Sequence, residues 1–367
     1  MTMTPLQRAQ EACDMMMLRW QPEDLPPKHQ FHYHQGVFLS GMEKTYRLCR
    51  DEKYMDYIKR WVDSIISNTG DITQFNAGQL DDLQPGILLF PIYERTGDRR
   101  YREAMDTIAH YLRHHPTCEN GGMWHKAWYR YQMWLDGLYM AGPFMMQYAT
   151  TFHERLDPHE PVRQAQLMEQ VTRDAKTGLW YHAWSENRRT PWANPDTGCS
   201  PEFWGRSMGW VPVALLDEWA FITGATAEEE QDRQELARIA TSLLMALLPY
   251  QDESGLWYQV VDKGDDPRNW LETSCTCLYA AGLMKAVRLG LLEKEYLKPA
   301  WKAYRGVMDR LTYGEGGVEI GGVCIGTGVG DYQHYLNRPT SVNDLHGVGA
   351  YLLMCVEAAQ VPEVDAK

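Results

Sequence analysis

The chain has 367 residues, with 36 Lys and Arg against 49 Asp and Glu, a formal net charge of -13, and 44% hydrophobic residues. Such a composition excludes a disordered chain and allows one large domain or two moderate ones. A charge of this sign excludes a nucleic-acid or anionic-membrane partner, because the long-range field repels polyanions, though a local basic pocket can still hold one carboxylate.

The longest apolar stretches fall short of the ~20 residues a membrane span needs, and MTMTPLQRAQEACDMMM lacks the pattern of a secretory signal. A cytoplasmic protein is expected. Eight cysteines scattered without a paired framework read as reduced thiols rather than disulfides.

Apolar spacing at i, i+3, i+4 and i+7 predicts helices almost throughout. In chain order they are Gln35–Leu48, Lys53–Ile66, Leu83–Glu94, Arg99–Arg113, Trp134–Thr150, Gly205–Ile222, Glu228–Leu248, Ser274–Leu289, Lys294–Leu311 and Leu345–Glu357. The second, fourth, seventh and ninth are amphipathic and heavily charged, as outer helices with one solvated face are. The other six are apolar on nearly all sides and rich in Gly, so each needs neighbours on both sides. Six apolar helices inside six amphipathic ones, the N-terminal segment supplying one partner, predict an all-α fold: an (α/α)6 barrel, six helical hairpins closed into a toroid. No Pro-rich or Ser-rich linker divides the chain, so residues 1–367 are read as a single domain. Connections 174–204, 251–271 and 312–343 precede inner helices and are expected to gather at one rim as a cleft, with short strands in Gly178–Trp184 and Gly255–Val261.

Composition adds 14 Trp and 21 Tyr against 8 Phe. Rings with an apolar face and a polar edge suit a cleft that stacks on sugars, and they also serve as core anchors. Asp136 stands in Trp134-Leu135-Asp136-Gly137-Leu138-Tyr139. Its apolar setting would raise its pKa toward that of a general acid, and a helix cap is the other reading of the same residue. Asp81 and Asp82 precede the second inner helix in the same way; one is expected to cap it and the other to face the cleft. Arg206 lies one turn from Trp210, and i,i+4 spacing puts the two on one face of an otherwise apolar helix. It needs an anion there, either Glu202 or a substrate carboxylate. His182 can be a satisfied core histidine. Lys126 sits in Trp124-His125-Lys126-Ala127-Trp128-Tyr129, a cluster too aromatic for an ordinary solvated face.

Other signals are weak. Cys275-x-Cys277 lacks a second ligand pair, so no metal is expected. Gly326-Thr327-Gly328-Val329-Gly330 lacks the spacing and the strand-then-helix context of a nucleotide loop.

The chain resembles the unsaturated rhamnogalacturonyl hydrolases, glycoside hydrolase family 105. The resemblance rests on HYHQGVFLSGMEKTY (32–46), LDDLQPG (80–86), WHKAWYRYQMWLDGLYMAGPF (124–144), GCSPEFWGRSMGW (198–210) and GVCIGTGVGDYQHYLNRP followed by NDLHGVGAYLL, in order over nearly the whole chain. It implies an (α/α)6 barrel that acts in pectin breakdown on a small oligosaccharide ending in a 4-deoxy-4,5-unsaturated galacturonyl residue. It also implies hydration of the enol-ether double bond, with Asp136 donating a proton to C4 and taking one from the water that adds at C5, and no cofactor. Asp81, Lys126, His182, Arg206, Trp210, and His34 or its neighbour Tyr33 match substrate-contact positions of that family. Unsaturated glucuronyl hydrolases of glycosaminoglycan or ulvan breakdown share the fold and the chemistry, and a non-catalytic sugar-binding toroid is the alternative of a different class.

Overall fold

The computed structural model describes residues 3–76 and 78–364, so the ends of the 1–367 span lie outside the described residues. Its main helices are α1 (Pro5–Arg19), α2 (Tyr33–Cys49), α3 (Glu52–Ile65), α4 (Leu89–Thr96), α5 (Arg99–Arg113), α6 (Asp136–Phe152), α7 (His159–Thr172), α8 (Gly205–Phe221), α9 (Ala227–Leu247), α10 (Thr273–Arg288), α11 (Leu297–Met308), the short α12 (Tyr332–Leu336), and α13 (Leu345–Ala358).

Outer helices start where a side chain satisfies the first free N–H groups. Thr4 and Gln7 form a capping box on α1, while Asp51, Asp98 and Thr226 cap α3, α5 and α9. Inner helices are held by burial instead. In α10 and α13 nearly every side chain is buried, and both lie among partners on all sides. The inner ring closes on itself: α2 packs on the 3-10 segment Gln84–Leu88 that leads into α4, that segment on α6, then α6 on α8, α8 on α10, α10 on α13, and α13 back on α2. Each inner helix also packs on its outer partner, α1 on α13 and α2, α4, α6, α8 and α10 on α3, α5, α7, α9 and α11. The architecture is therefore the predicted (α/α)6 toroid.

Three local departures matter for the site. The predicted helix Leu83–Glu94 opens as 3-10 turns, Leu80–Asp82 and Gln84–Leu88, before α4 begins. Pro85 has no N–H to give, and a side chain at Gly86 would press to 2.8 Å from both Ile108 and Phe144. The predicted start at Trp134 is instead a strand, β1 (Gln132–Trp134), paired antiparallel with β2 (Ala183–Ser185) so that Trp134 faces Ala183. Helix α7 was not among the predicted segments. Of the strands expected in Gly255–Val261, β3 (Trp257–Tyr258) forms against β4 (Leu271–Glu272), and the 312–343 connection adds two further antiparallel pairs, Thr312–Gly314 with Gly317–Glu319 and Val323–Cys324 with Thr340–Ser341.

The long connections meet at the N-terminal ends of the inner helices. Trp184 bridges to Cys199, Trp204 to Val260, and the Thr273 N–H donates to the Gly322 carbonyl. Among the described residues no helix is long and apolar enough to cross a membrane.

Candidate active site

A cavity of about 290 Å³ opens among these loops. It is lined by His32, Tyr33 and His34 from the start of α2, Asp81 from its 3-10 turn, His125, Lys126 and Tyr129 from the 124–134 loop, Trp134, Asp136 and Met140, then Trp204, Arg206 and Trp210, and the backbone at Gly326–Gly328. The first turns of α2, α6 and α8 all reach it, and the positive ends of those helix dipoles favour an anion there. A second cavity, about 240 Å³, lies at the other mouth of the toroid. Its charges are matched internally: Lys44 and Lys285 both bind Asp217, Arg47 binds Glu43, and Arg288 binds Glu357.

Asp136 is the first residue of α6 and its side chain caps nothing. The β1–β2 ladder and the Leu135 N–H bond to the His182 carbonyl bring it against His182, whose Nε2 lies 3.1 Å from Asp136 Oδ2. His182 is fully buried, and its Nδ1 lies 2.7 Å from the Tyr335 hydroxyl. Gly330 N–H points at that hydroxyl oxygen, which leaves the Tyr335 proton for Nδ1 and the imidazole proton for Nε2. Burial holds the imidazole neutral by lowering its pKa.

The raised pKa expected of Asp136 is not found. Burial works in that direction, but the His182 N–H bond outweighs it and holds the carboxyl below the usual aspartate range. His182 is thus neither solvated nor an ordinary core residue: both its nitrogens are engaged, one of them by the candidate catalytic carboxylate.

Asp81, not Asp82, faces the cavity, and neither acts as a helix cap. Asp81 lies 3.3 Å from His125 Nε2 and 2.7 Å from Lys126 Nζ. Against the effect of burial, these two partners hold it ionised well below the usual range. Asp82 turns into the protein, where burial pushes its carboxyl up to about 7. Lys126 also donates to Gln79 Oε1 at 3.0 Å, leaving one ammonium proton uncommitted.

Arg206 is buried, but Glu202 is not its partner, because Glu202 pairs with Lys263. The guanidinium instead donates to the carbonyls of Cys324 at 2.5 Å and Ile325 at 2.9 Å and lies 4.6 Å over the Trp204 ring. No carboxylate of the described residues comes within ion-pair distance, so a buried positive charge awaits an anion at the cavity wall. Trp210 shares the wall as its i,i+4 spacing predicts and stacks on Tyr139 at 4.7 Å. Tyr33 and His34 both line the cavity, 2.8 Å apart through hydroxyl and Nε2; burial lowers the His34 pKa to about 3, so its ring accepts the Tyr33 proton.

No metal was expected, yet the fold gathers His34, Asp344 and His346 with ligand atoms within 4.8 Å of one another. One nitrogen of each histidine is taken by the protein, His34 Nε2 by the Tyr33 hydroxyl and His346 Nε2 by the Cys324 carbonyl, while His346 Nδ1 faces Asp344 without a hydrogen bond. His346 Nε2 donates to the Cys324 carbonyl, its Nδ1 lies 2.7 Å from Asp344 Oδ1, and its ring stacks on His34. The two stacked histidines support Tyr33 and the Cys324 carbonyl that Arg206 also uses, each through one hydrogen bond.

All eight residues singled out from the sequence come together here. Reasoning from the sequence passed over His125, Tyr129, Trp134, Trp204 and Tyr335. The first four are neighbours of predicted residues, and aromatic density next to a charge was their only signal. Tyr335, 153 positions from His182, carried none. The glycine run at 326 forms one wall of the cavity.

A toroid with an acid pair, a buried arginine and aromatic walls at one mouth defines a carbohydrate-active enzyme. The chain belongs to Glycosyl Hydrolase Family 88, whose family model matches residues 8–361, and it is a glycoside hydrolase. It is 30% identical over 284 residues to the unsaturated rhamnogalacturonyl hydrolase YesR of Bacillus subtilis, covering 75% of this chain and 74% of that protein. It is 32% identical over 234 residues to protein Atu3128 of Agrobacterium fabrum, covering 60% of this chain and 98% of the other. Among solved structures, a family-105 glycoside hydrolase from C. acetobutylicum superposes with a TM-score of 0.90 at 31% identity, covering 96% of this chain and 99% of that one. The unsaturated glucuronyl hydrolase of Bacillus sp. GL1, 14% identical with a TM-score of 0.66 over 95% of this chain and 94% of that one, shares the fold.

Proposed function

We propose that the protein releases the 4-deoxy-4,5-unsaturated galacturonyl residue from rhamnogalacturonan-derived oligosaccharides by hydrating the C4=C5 double bond. The whole chain serves as one catalytic unit, without cofactor, in the cytoplasm, where the eight unpaired cysteines would stay reduced. The observation that carries this reading is the pairing, in one cavity, of Asp136 oriented by neutral His182 with Arg206 buried and lacking a carboxylate partner.

Arg206 and the free proton of Lys126 bind the uronate carboxylate, which is conjugated with the alkene and so fixes its plane. That carboxylate displaces water and adds negative charge beside Asp136, raising its proton affinity, so substrate enters with uptake of a proton. Asp136 gives this proton to C4, and positive charge develops at C5 next to the ring oxygen. The carboxylate so formed takes a proton from the water that adds at C5. The C5 hemiketal then opens to a ketone, and the hemiacetal left at C1 collapses to an aldehyde, expelling the aglycone hydroxyl. Asp81, fixed by His125 and Lys126, accepts from sugar hydroxyls or the water, while Trp210, Tyr33 and His34 shape the sugar pocket.

Turnover in heavy water tests this. Hydration places deuterium at C4 of the product and removes the ultraviolet absorbance of the conjugated double bond as rhamnose appears. Rhamnose released without deuterium at C4 would mean direct displacement at the anomeric carbon. Faster turnover of glycosaminoglycan- or ulvan-derived unsaturated disaccharides than of the rhamnogalacturonan-derived one would move the protein to the glycosaminoglycan- or ulvan-degrading class with the same mechanism.

A further inference from the structure

Of the 14 tryptophans in the chain, Trp128 alone is exposed, with 52% of its surface in solvent. Leaving an indole uncovered forfeits burial that thirteen others obtain at least in part, and this one lies beside Lys126 and Tyr129, which line the cavity. It is also held rigidly. Residues 126–129 form a turn closed by the Tyr129 N–H to the Lys126 carbonyl at 2.8 Å. The turn is anchored below by the Gln79–Lys126 bridge and the Ala127 N–H bond to the Gly78 carbonyl. The indole lies against Gly78, where an added Cβ would come 3.3 Å from the ring, so its inner side is seated on backbone.

From the cavity outward the aromatic rings are continuous. His125 stacks on Trp134 at 4.6 Å, Trp134 on Tyr129 at 5.1 Å, and Tyr129 meets Trp128 edge to face at 6.1 Å. Lys126 Nζ lies 5.9 Å from both outer rings, so the ring ladder leaves the cavity beside the very ammonium that faces the bound sugar. A saccharide whose first ring fills the cavity and whose next rings leave past Lys126 and Tyr129 meets this indole. A preorganised indole there offers a flat apolar face to the C–H side of a pyranose at no ordering cost.

Resting on the hydrolase reading above, we propose that Trp128 is an outer subsite, a stacking platform for the pyranose ring beyond the one attached at the scissile bond. The enzyme is thereby tuned to unsaturated oligosaccharides longer than a disaccharide. Trp128 does not line the catalytic cavity, so its contribution depends on chain length.

The test compares an unsaturated galacturonyl–rhamnose disaccharide with the tetrasaccharide that extends it at the reducing end. In Trp128→Ala, kcat/KM for the tetrasaccharide should fall about tenfold, the worth of one stacked ring, with most of the change in KM. The disaccharide should change by no more than about twofold, and Trp128→Phe should restore most of the loss. Equal losses on both substrates, or none on the tetrasaccharide, would overturn the platform. Calorimetric binding of the tetrasaccharide to Asp136→Asn, with and without Trp128→Ala, reads the same contact without turnover. If the wild type hydrolyses neither compound, the hydrolase reading fails on its own; unchanged binding after Trp128→Ala fails the platform.

Discussion

Asp136 and His182, 46 positions apart, share a 3.1 Å hydrogen bond because a three-residue strand pair ends one residue before the one and begins directly after the other. The imidazole cannot turn away, since Tyr335 fixes its second nitrogen. The carboxylate is therefore aimed by a neutral donor rather than paired with a cation. A neutral donor orients the group without holding it ionised as strongly as an ammonium would, which lets substrate charge move its proton affinity.

Replacing Asp136 by Asn keeps size and shape at the head of α6 and removes the transferable proton. Activity should fall by at least about 10²–10⁴, the usual worth of one general acid/base, with circular dichroism and melting temperature unchanged. Retention of more than a tenth of wild-type turnover would assign the chemistry elsewhere.

His182 sets the acidity of that carboxyl. Its N–H stabilises the charged form and lowers the Asp136 pKa; His182→Ala removes this, so the pKa rises. Because the reaction uses protonated Asp136, kcat/KM falls as pH rises through that pKa. The falling limb should move to higher pH in His182→Ala, even as the maximum drops. Tyr335→Phe should move it less, by freeing the imidazole tautomer. A pH profile that only scales down without shifting would reduce His182 to packing.

The His34, Asp344 and His346 cluster bears on the expectation of metal-independent turnover. The His34 Nε2 and His346 Nε2 atoms are already taken by the Tyr33 hydroxyl and the Cys324 carbonyl, so exhaustive chelation should leave activity intact, and zinc, calcium or magnesium should add nothing. Activity lost to a chelator and restored by one of these ions would show an ion at that cluster.

Glu218 on α8 offers a stability test away from the chemistry. It is buried, its Oε2 has no hydrogen-bond partner among the described residues, and burial pushes its pKa up to about 8. A carboxyl whose folded pKa is raised keeps its proton while the unfolded chain loses one, so stability is full below the unfolded value of about 4.3 and declines up to about 8, by at most about 1.4 kcal/mol per pH unit. Glu218→Gln should remove that share of the decline. Denaturant unfolding at pH 5 and pH 8 reads it as a variant that gains on the wild type with rising pH; a constant difference would contradict the burial argument.

The sequence by itself determined the architecture and most of the cast. Six helices apolar on every side can be covered only by a second layer, and the spacing of charge on Arg99–Arg113 or Glu52–Ile65 shows which helices supply it. The same local physics placed Asp136, Arg206 and Trp210 at the heads of inner helices, because turn-forming connections and i,i+4 spacing are short-range properties. Tertiary structure alone decided how those groups behave. Whether Asp81 or Asp82 faces the cavity depends on 3-10 turns set by packing around Pro85 and Gly86, and Arg206 was left without Glu202 because Lys263, 61 positions from Glu202, took it. The direction of the Asp136 pKa turned on a donor 46 residues away. Local hydrophobic pattern is written in the order of residues, whereas the charge state of a buried group is the balance of a desolvation cost against partners that only chain closure brings within hydrogen-bond distance.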